Sequence, residues 1–191
     1  MSDFKKVLVV VDPQRDFVDG ALGSEQAQNA VPHMVRKISE FNGHILVTRD
    51  THQDDYMLTS EGRALPIPHC IKDTDGWKIQ PSVNKALMDA VDRGINVKFH
   101  NKSTFGSLKL DAAILSFGNV TSDTGDGLDI CLIGLDTDIC VLANALILKT
   151  QFPDSYIHVD AKATAGSTMV AKRAALMCMK SCQIGVDNWE E

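Results

Sequence analysis

At 191 residues with a formal net charge of −6 and its 19 Lys and Arg scattered, the chain carries no basic footprint for nucleic acid or an anionic membrane surface. The N-terminal apolar run, Val7 to Val11, is closed by Asp12 and Pro13 and is too short for a signal peptide or a membrane span. Five cysteines without regular spacing suit free thiols in a reducing cytoplasm better than a disulfide framework, so a cytoplasmic protein with a small-molecule partner is expected.

Taken in order, KKVLVVVD reads as a strand, 27–41 as a helix and HILVTRD as a second strand. The stretch 51–81 is irregular and rich in Asp, His, Glu and Pro. A helix is expected over 82–93, a strand at INVKFHN and a helix over 107–117. Segment 118–129, polar and glycine-rich, reads as a solvated surface loop, because Asp123, Asp126 and Asp129 lack the alternate spacing of a calcium loop. DICLIGL is the fourth strand, 139–150 a helix and SYIHVDA the fifth strand. The last helix, 167–181, has Met169, Val170, Ala174, Met177 and Cys178 at near-helical spacing, and CQIGVDN closes the chain as a sixth strand. Strands alternating with helices predict an α/β fold: a three-layer α/β/α arrangement around a six-stranded, mostly parallel sheet, in one domain over 1–191. No repeat, low-complexity tract or linker divides it.

Ligands of open parallel sheets bind outside the carboxyl ends of the strands. Those ends carry Asp12 after strand one, Arg49, Asp50 and His52 after strand two, His100 and Lys102 after strand three, and Cys140 beyond strand four. In GLDTDICV, Cys140 lies near the start of a helix that Thr137 or Asp138 could cap, with Ile139, Leu142, Ala143 and Leu146 forming its inward face. The helix N-terminus stabilises a thiolate, and its amides could hold an oxyanion. An ammonium from Lys102 within about 4 Å would add roughly 4 kcal/mol at an effective dielectric near 20, or about three pKa units downward at most. Asp12 would then serve as the acid–base group. Read singly, Cys140 is better taken as a small buried helix residue, Asp12 as a turn aspartate and Lys102 as a surface cation.

Asp50 and His52 are two apart at a strand end and point to one side of the sheet if the strand persists. Glu61 and His69, from the loop that follows, would complete a carboxylate and imidazole set suited to Zn²⁺, Mn²⁺ or Fe²⁺. The alternative is an ordinary polar lid. Cys178 and Cys182 read as buried structural thiols, Cys131 as core and Cys70 as packing for the loop; Trp77 either lines a pocket or anchors the loop.

With Asp12, Lys102 and Cys140 in this order, the chain resembles the isochorismatase-like cysteine hydrolases, and among them the nicotinamidases and related amidases. VVVDPQRDF, FHNKSTFGS and GLDTDICVLANAL carry the resemblance, which spans nearly the whole chain. It implies the isochorismatase-like hydrolase fold, a triad of Asp12, Lys102 and Cys140, an oxyanion hole from the amides of Asp136 and Cys140, and a cis peptide between Leu135 and Asp136. It also implies a divalent metal, Zn²⁺ first and Mn²⁺ or Fe²⁺ after it, on Asp50, His52, His69 and Glu61, and Phe17 against the substrate. The implied reaction is hydrolysis of nicotinamide to nicotinate and ammonia through a Cys140 thioester, as in NAD salvage, by a homo-oligomer, dimer or tetramer. A related amidase for carbamoyl or ureido substrates, or a catalytically silent binding protein of the same fold, are the alternatives.

Overall fold

The computed structural model of the chain describes residues 5–118 and 127–189. A strand covered on both faces must be apolar along its length, and β1 (Lys5–Val11) is: Val7, Val9 and Val11 enter one core, Leu8 and Val10 the other, all with no exposure. It lies at the centre of the sheet, parallel to β2 (His44–Asp50) on one side and to β4 (Leu128–Leu135) on the other. The strand order β3-β2-β1-β4-β5-β6 adds β3 (Val97–Lys102), β5 (Tyr156–Ala165) and β6 (Gly185–Asp187), and every pairing is parallel. The chain therefore reverses direction of travel between β1 and β4, and a crevice opens outside their carboxyl ends.

Helices cover both faces. α1 (Arg15–Val18), α2 (Glu25–Glu40) and α4 (Pro81–Asp92) supply Phe17, Met34, Ile38 and Leu87 to one core; α5 (Leu110–Leu115), α6 (Leu142–Gln151) and α7 (Met169–Ser181) supply Ile114, Leu148, Leu176 and Met179 to the other. Their starts follow local chemistry. Ser24 accepts from the Ala27 amide (3.1 Å), Thr168 from the Ala171 amide (3.0 Å), and Gln80 from the Ser82 and Val83 amides ahead of Pro81 at the first helical position. Each such cap is worth about 1 kcal/mol.

The expected α/β architecture is present, with local differences. The stretch 51–81 holds a 3₁₀ turn at Tyr56–Leu58 and the short helix α3 (Ser60–Ala64), the latter capped by Thr59. The expected helix over 107–117 shrinks to Leu110–Leu115, and β5 runs on to Ala165. α7 buries Ala175, Leu176 and Met179, while Met169, Val170 and Met177 are 56%, 79% and 61% exposed. Cys178 and Cys182 are exposed for the same reason, which corrects their reading as buried thiols. The loop expected over 118–129 falls mostly on 119–126, outside the described residues. Among the described residues no helix is long and apolar enough to cross a membrane.

Gly134 marks the seam between the two central strands. Its φ is +119°, and a Cβ there would meet the Val11 carbonyl oxygen at 2.0 Å, so no side chain fits. The β4–β5 register shifts at the same place, between Leu132 and Gly134.

Candidate active site

Three strand ends bring Asp12, Lys102 and Cys140 together. Asp12 follows β1 with φ +45° and is wholly buried; its amide donates to Thr48 Oγ1 (3.1 Å), whose hydroxyl donates back to Asp12 Oδ1 (2.7 Å). Lys102 ends β3 in register with Asp50, so both side chains leave the same side of the sheet. The Lys102 ammonium lies 2.5 Å from Asp12 Oδ2, 3.6 Å from Asp50 Oδ1 and 3.6 Å from Cys140 Sγ. Cys140 sits in a π-helical turn, Thr137–Val141, that links β4 to α6, and it is 4% exposed. The peptide bond between Leu135 and Asp136 is cis, and the Asp136 carbonyl accepts from the amides of Ile139 (3.1 Å) and Val141 (3.0 Å).

The second group forms because the loop after β2 returns alongside its own start. His52 and Ile71 form a parallel bridge, with the His52 amide on the Cys70 carbonyl (3.0 Å) and the Lys72 amide on the His52 carbonyl (2.9 Å), which sets His69 beside His52. α3 supplies Glu61. One ligand atom from each of Asp50, His52, Glu61 and His69 lies within 4.8 Å of the others. His52 Nε2 is 3.0 Å from Asp50 Oδ2 and 3.6 Å from Glu61 Oε1; His69 Nε2 is 3.7 and 3.8 Å from the same oxygens. His69 Nδ1 donates to the Ile67 carbonyl (2.8 Å), which leaves Nε2 as the lone-pair nitrogen facing the carboxylates. Two carboxylates and two imidazoles so disposed fit a divalent ion.

A cavity of about 270 Å³ joins the two groups, lined among others by Phe17, Asp50, Glu61, His69, Asp136 and Cys140. Phe17 meets the His69 ring edge-on at 5.5 Å. A wider hollow of about 460 Å³, by Arg173, Met177 and Trp189, shares none of these residues. A model of the isochorismatase domain matches residues 6–191. The chain belongs to the isochorismatase family. It is similar in fold to the nicotinamidase/pyrazinamidase of Bacillus subtilis (24% identity, TM-score 0.81, 95% of this chain and 98% of that one). The pyrazinamidase of Pyrococcus horikoshii, solved in complex with zinc, is similar too (24%, TM-score 0.69, 97% and 99%). In sequence, the nicotinamidase/pyrazinamidase of Mycobacterium tuberculosis is 26% identical over 93 residues, 45% of this chain and half the length of that protein.

In this isochorismatase-family chain the electrostatics differ from the expectation of a low-pKa cysteine. Burial, then the Asp12 charge, push the Cys140 thiol well above the ordinary value, against the pull of Lys102. No side chain caps the turn, and the fully buried face is Cys140, Val141, Asn144, Ala145 and Leu148, while Ile139, Leu142 and Leu146 of the expected face pack against the core only in part. The resting cysteine is therefore a thiol. Asp12 is also raised, by burial first and by Asp50 after it, with Lys102 opposing. For Lys102, burial works downward, but the charges of Asp12, Cys140 and Asp50 outweigh it and hold the ammonium above the usual lysine range. Asp136 is pushed up to about 7, by burial, then Asp138 and Asp12.

Several residues that position the site were not singled out from sequence. Gln14 receives the Asp50 amide on Oε1 (2.6 Å) and donates Nε2 to the carbonyls of Asp50 (2.8 Å) and Trp77 (3.0 Å). Asp16 accepts the Cys70 amide (2.7 Å), pinning the loop beside His69. Tyr56 is buried, with both His52 and His69 rings within 5.0 Å and its hydroxyl on the Leu65 carbonyl (2.9 Å). Gln14 and Asp16 flank the strand end in VVVDPQRDF, and Tyr56 is the one Phe, Tyr or Trp in 50–70; those were the available signals. Half-exposed Phe105 also lines the cavity. Trp77 anchors the loop: Nε1 donates to Thr51 Oγ1 (2.9 Å) and the Arg49 guanidinium covers the ring at 4.2 Å. His100 stands apart, bonded to Ser107 Oγ (2.8 Å).

Proposed function

We propose that this chain is a cysteine amidohydrolase acting as one domain over 1–191 on small carboxamides, with nicotinamide, hydrolysed to nicotinate and ammonia, as substrate. The observation that carries it is the buried Lys102 ammonium in contact with both Asp12 and Cys140, at a cavity whose far wall holds a metal-type side-chain cluster. Cys140 attacks the carboxamide carbon while Asp12 takes the thiol proton, so the thiolate forms only as the C–S bond does. The amides of Asp136 and Cys140 hold the oxyanion. Collapse breaks the C–N bond; Asp12 returns its proton to the leaving nitrogen, and ammonia departs from a thioester. Asp12 then takes a proton from water as the water oxygen attacks, the C–S bond breaks and Cys140 recovers its proton. Lys102 stabilises the Asp12 carboxylate and the developing charge on sulfur.

Asp50, His52, Glu61 and His69 would hold a divalent ion, zinc first by analogy with the Pyrococcus horikoshii pyrazinamidase. When bound, it would anchor the ring nitrogen of a pyridine amide. Phe17 would pack against the ring. Ammonia release from nicotinamide that is lost on chelation and absent in Cys140→Ala is the expected result; turnover retained by Cys140→Ala ends the proposal. A second reading, an amidase for carbamoyl or other small amides, draws support from the unpaired acid Asp136 in the cavity wall. Ammonia release that is insensitive to chelator favours it.

A further inference from the structure

The acids around the cavity are engaged, with one exception. Asp12 is held by Lys102 and Thr48, Asp50 by Lys102 and His52, and Glu61 lies against His52 and His69. Asp138 accepts from the amide (2.8 Å) and hydroxyl (2.6 Å) of Ser167. Asp136 lines the same cavity, partly buried, and among the described residues no hydrogen bond or ion pair reaches its carboxyl. The cavity wall also holds the apolar Phe17, Leu22, Leu65, Phe105 and Ile139, together with Ser24 and Ser167. A carboxyl left unpaired in such a wall favours a ligand that brings it a hydrogen-bond donor and disfavours one that covers it without pairing.

The position of that donor follows from covalent geometry. The main-chain amide of Asp136 is the group assigned above to the substrate carbonyl oxygen, and only Cα and Cβ separate that amide from the carboxyl. The amide nitrogen itself faces Asp12, which protonates it in the reading above, so a second substrate group within reach of the Asp136 carboxyl sits on the carbon bonded to the carbonyl carbon or on the next atom. We propose that Asp136 is a specificity-determining residue that selects carboxamides carrying an N–H or O–H donor immediately beside the amide group. The inference rests on the amidase reading for where the carbonyl lies. The raised carboxyl, near 7, suits a group that can accept from a neutral hydroxyl or amine in either protonation state through its free oxygen lone pairs.

The test uses two matched pairs of amides. The first sets a nicotinamide with an amino group ortho to the carboxamide against the ortho-methyl compound; the second sets phenylglycinamide against its α-methyl counterpart. Binding is measured calorimetrically to zinc-loaded Cys140→Ala protein, which stops turnover. The amino member of at least one pair is expected to bind about tenfold more tightly than its methyl partner. Adding Asp136→Ala should bring the members of that pair within about twofold, while Asp136→Asn, which keeps an acceptor oxygen, should retain part of the preference. No preference in either pair, a preference that survives Asp136→Ala, or equal weakening of all four amides would overturn the inference, as would no binding at all. Ammonia release by the unsubstituted protein, run in parallel, separates the two readings. Preference without release defeats the amidase reading alone, and release without preference defeats the role of Asp136 alone.

Discussion

Lys102→Met removes the cation on which the whole site is balanced while nearly preserving side-chain length. The ammonium is 1% exposed, 2.5 Å from Asp12 and 3.6 Å from Asp50. At an effective dielectric near 20 these contacts correspond to roughly 7 and 5 kcal/mol of attraction, against which stands the cost of burying the ammonium. Losing one partner of a buried pair typically costs about 3–5 kcal/mol, and a comparable fall in unfolding free energy is expected here. The chemical consequence is larger. Without Lys102, burial and the Asp50 charge still raise Asp12, and only the Thr48 hydrogen bond opposes them, so the carboxylate form that accepts the Cys140 proton is disfavoured. Loss of a general base lowers rates by about 10²–10⁴-fold. The assay is kcat/KM from ammonia release, with a urea titration on the same sample. A folded Lys102→Met protein within tenfold of the unsubstituted kcat/KM would refute the argument that Lys102 sets the charge of Asp12.

Other outcomes follow from the same geometry. Gln14→Leu strands the Asp50 amide and two carbonyls in the interior, at about 1–3 kcal/mol for each group left unpaired, and should weaken zinc binding about 10–100-fold; denaturation and metal titration check both. Iodoacetamide at pH 7 should label exposed Cys178 and Cys182 before Cys140, as read by peptide mass spectrometry, because the buried thiol keeps its proton; first labelling at Cys140 would contradict the raised thiol. The folded pKa values of Cys140 and Cys131, the latter pushed up to about 12, lie above their unfolded values near 9. Their contribution to stability is therefore complete below pH 9 and is lost as pH rises beyond it, so the urea midpoint should fall between pH 9 and 11. Glu61→Gln should lower zinc affinity while leaving the rate of Cys140 alkylation within about twofold, since the charges that act on the thiol are those of Asp12, Lys102 and Asp50.

Apolar runs such as KKVLVVV and DICLIGL made the parallel sheet legible, because a strand buried on both faces has no polar register to confuse the reading. The candidate residues that the fold brings together were legible for a different reason. Strand ends after Val11, Asp50 and Leu135 carry side chains that a core would not use, and the return of the chain at Ile71 then sets His69 beside His52. What the sequence withheld depends on distance and burial. The protonation of Cys140 turns on how deeply the thiol lies and how near Asp12 stands, neither of which spacing reveals. α7 has Ala or Met on both faces, so periodicity could not choose the buried one. Thr48 lies mid-strand in HILVTRD and its hydroxyl acquires a role only because β1 ends next to it.

The close approach at Gly134 limits how this scaffold can be altered. Acid and thiol descend from adjacent strands whose backbones nearly touch there, so the distance between the two chemistries is fixed by main chain and not by side-chain choice. A methyl group added at Gly134 would pry β1 from β4, so the spacing of acid and thiol depends on a single hydrogen atom that no side chain can replace.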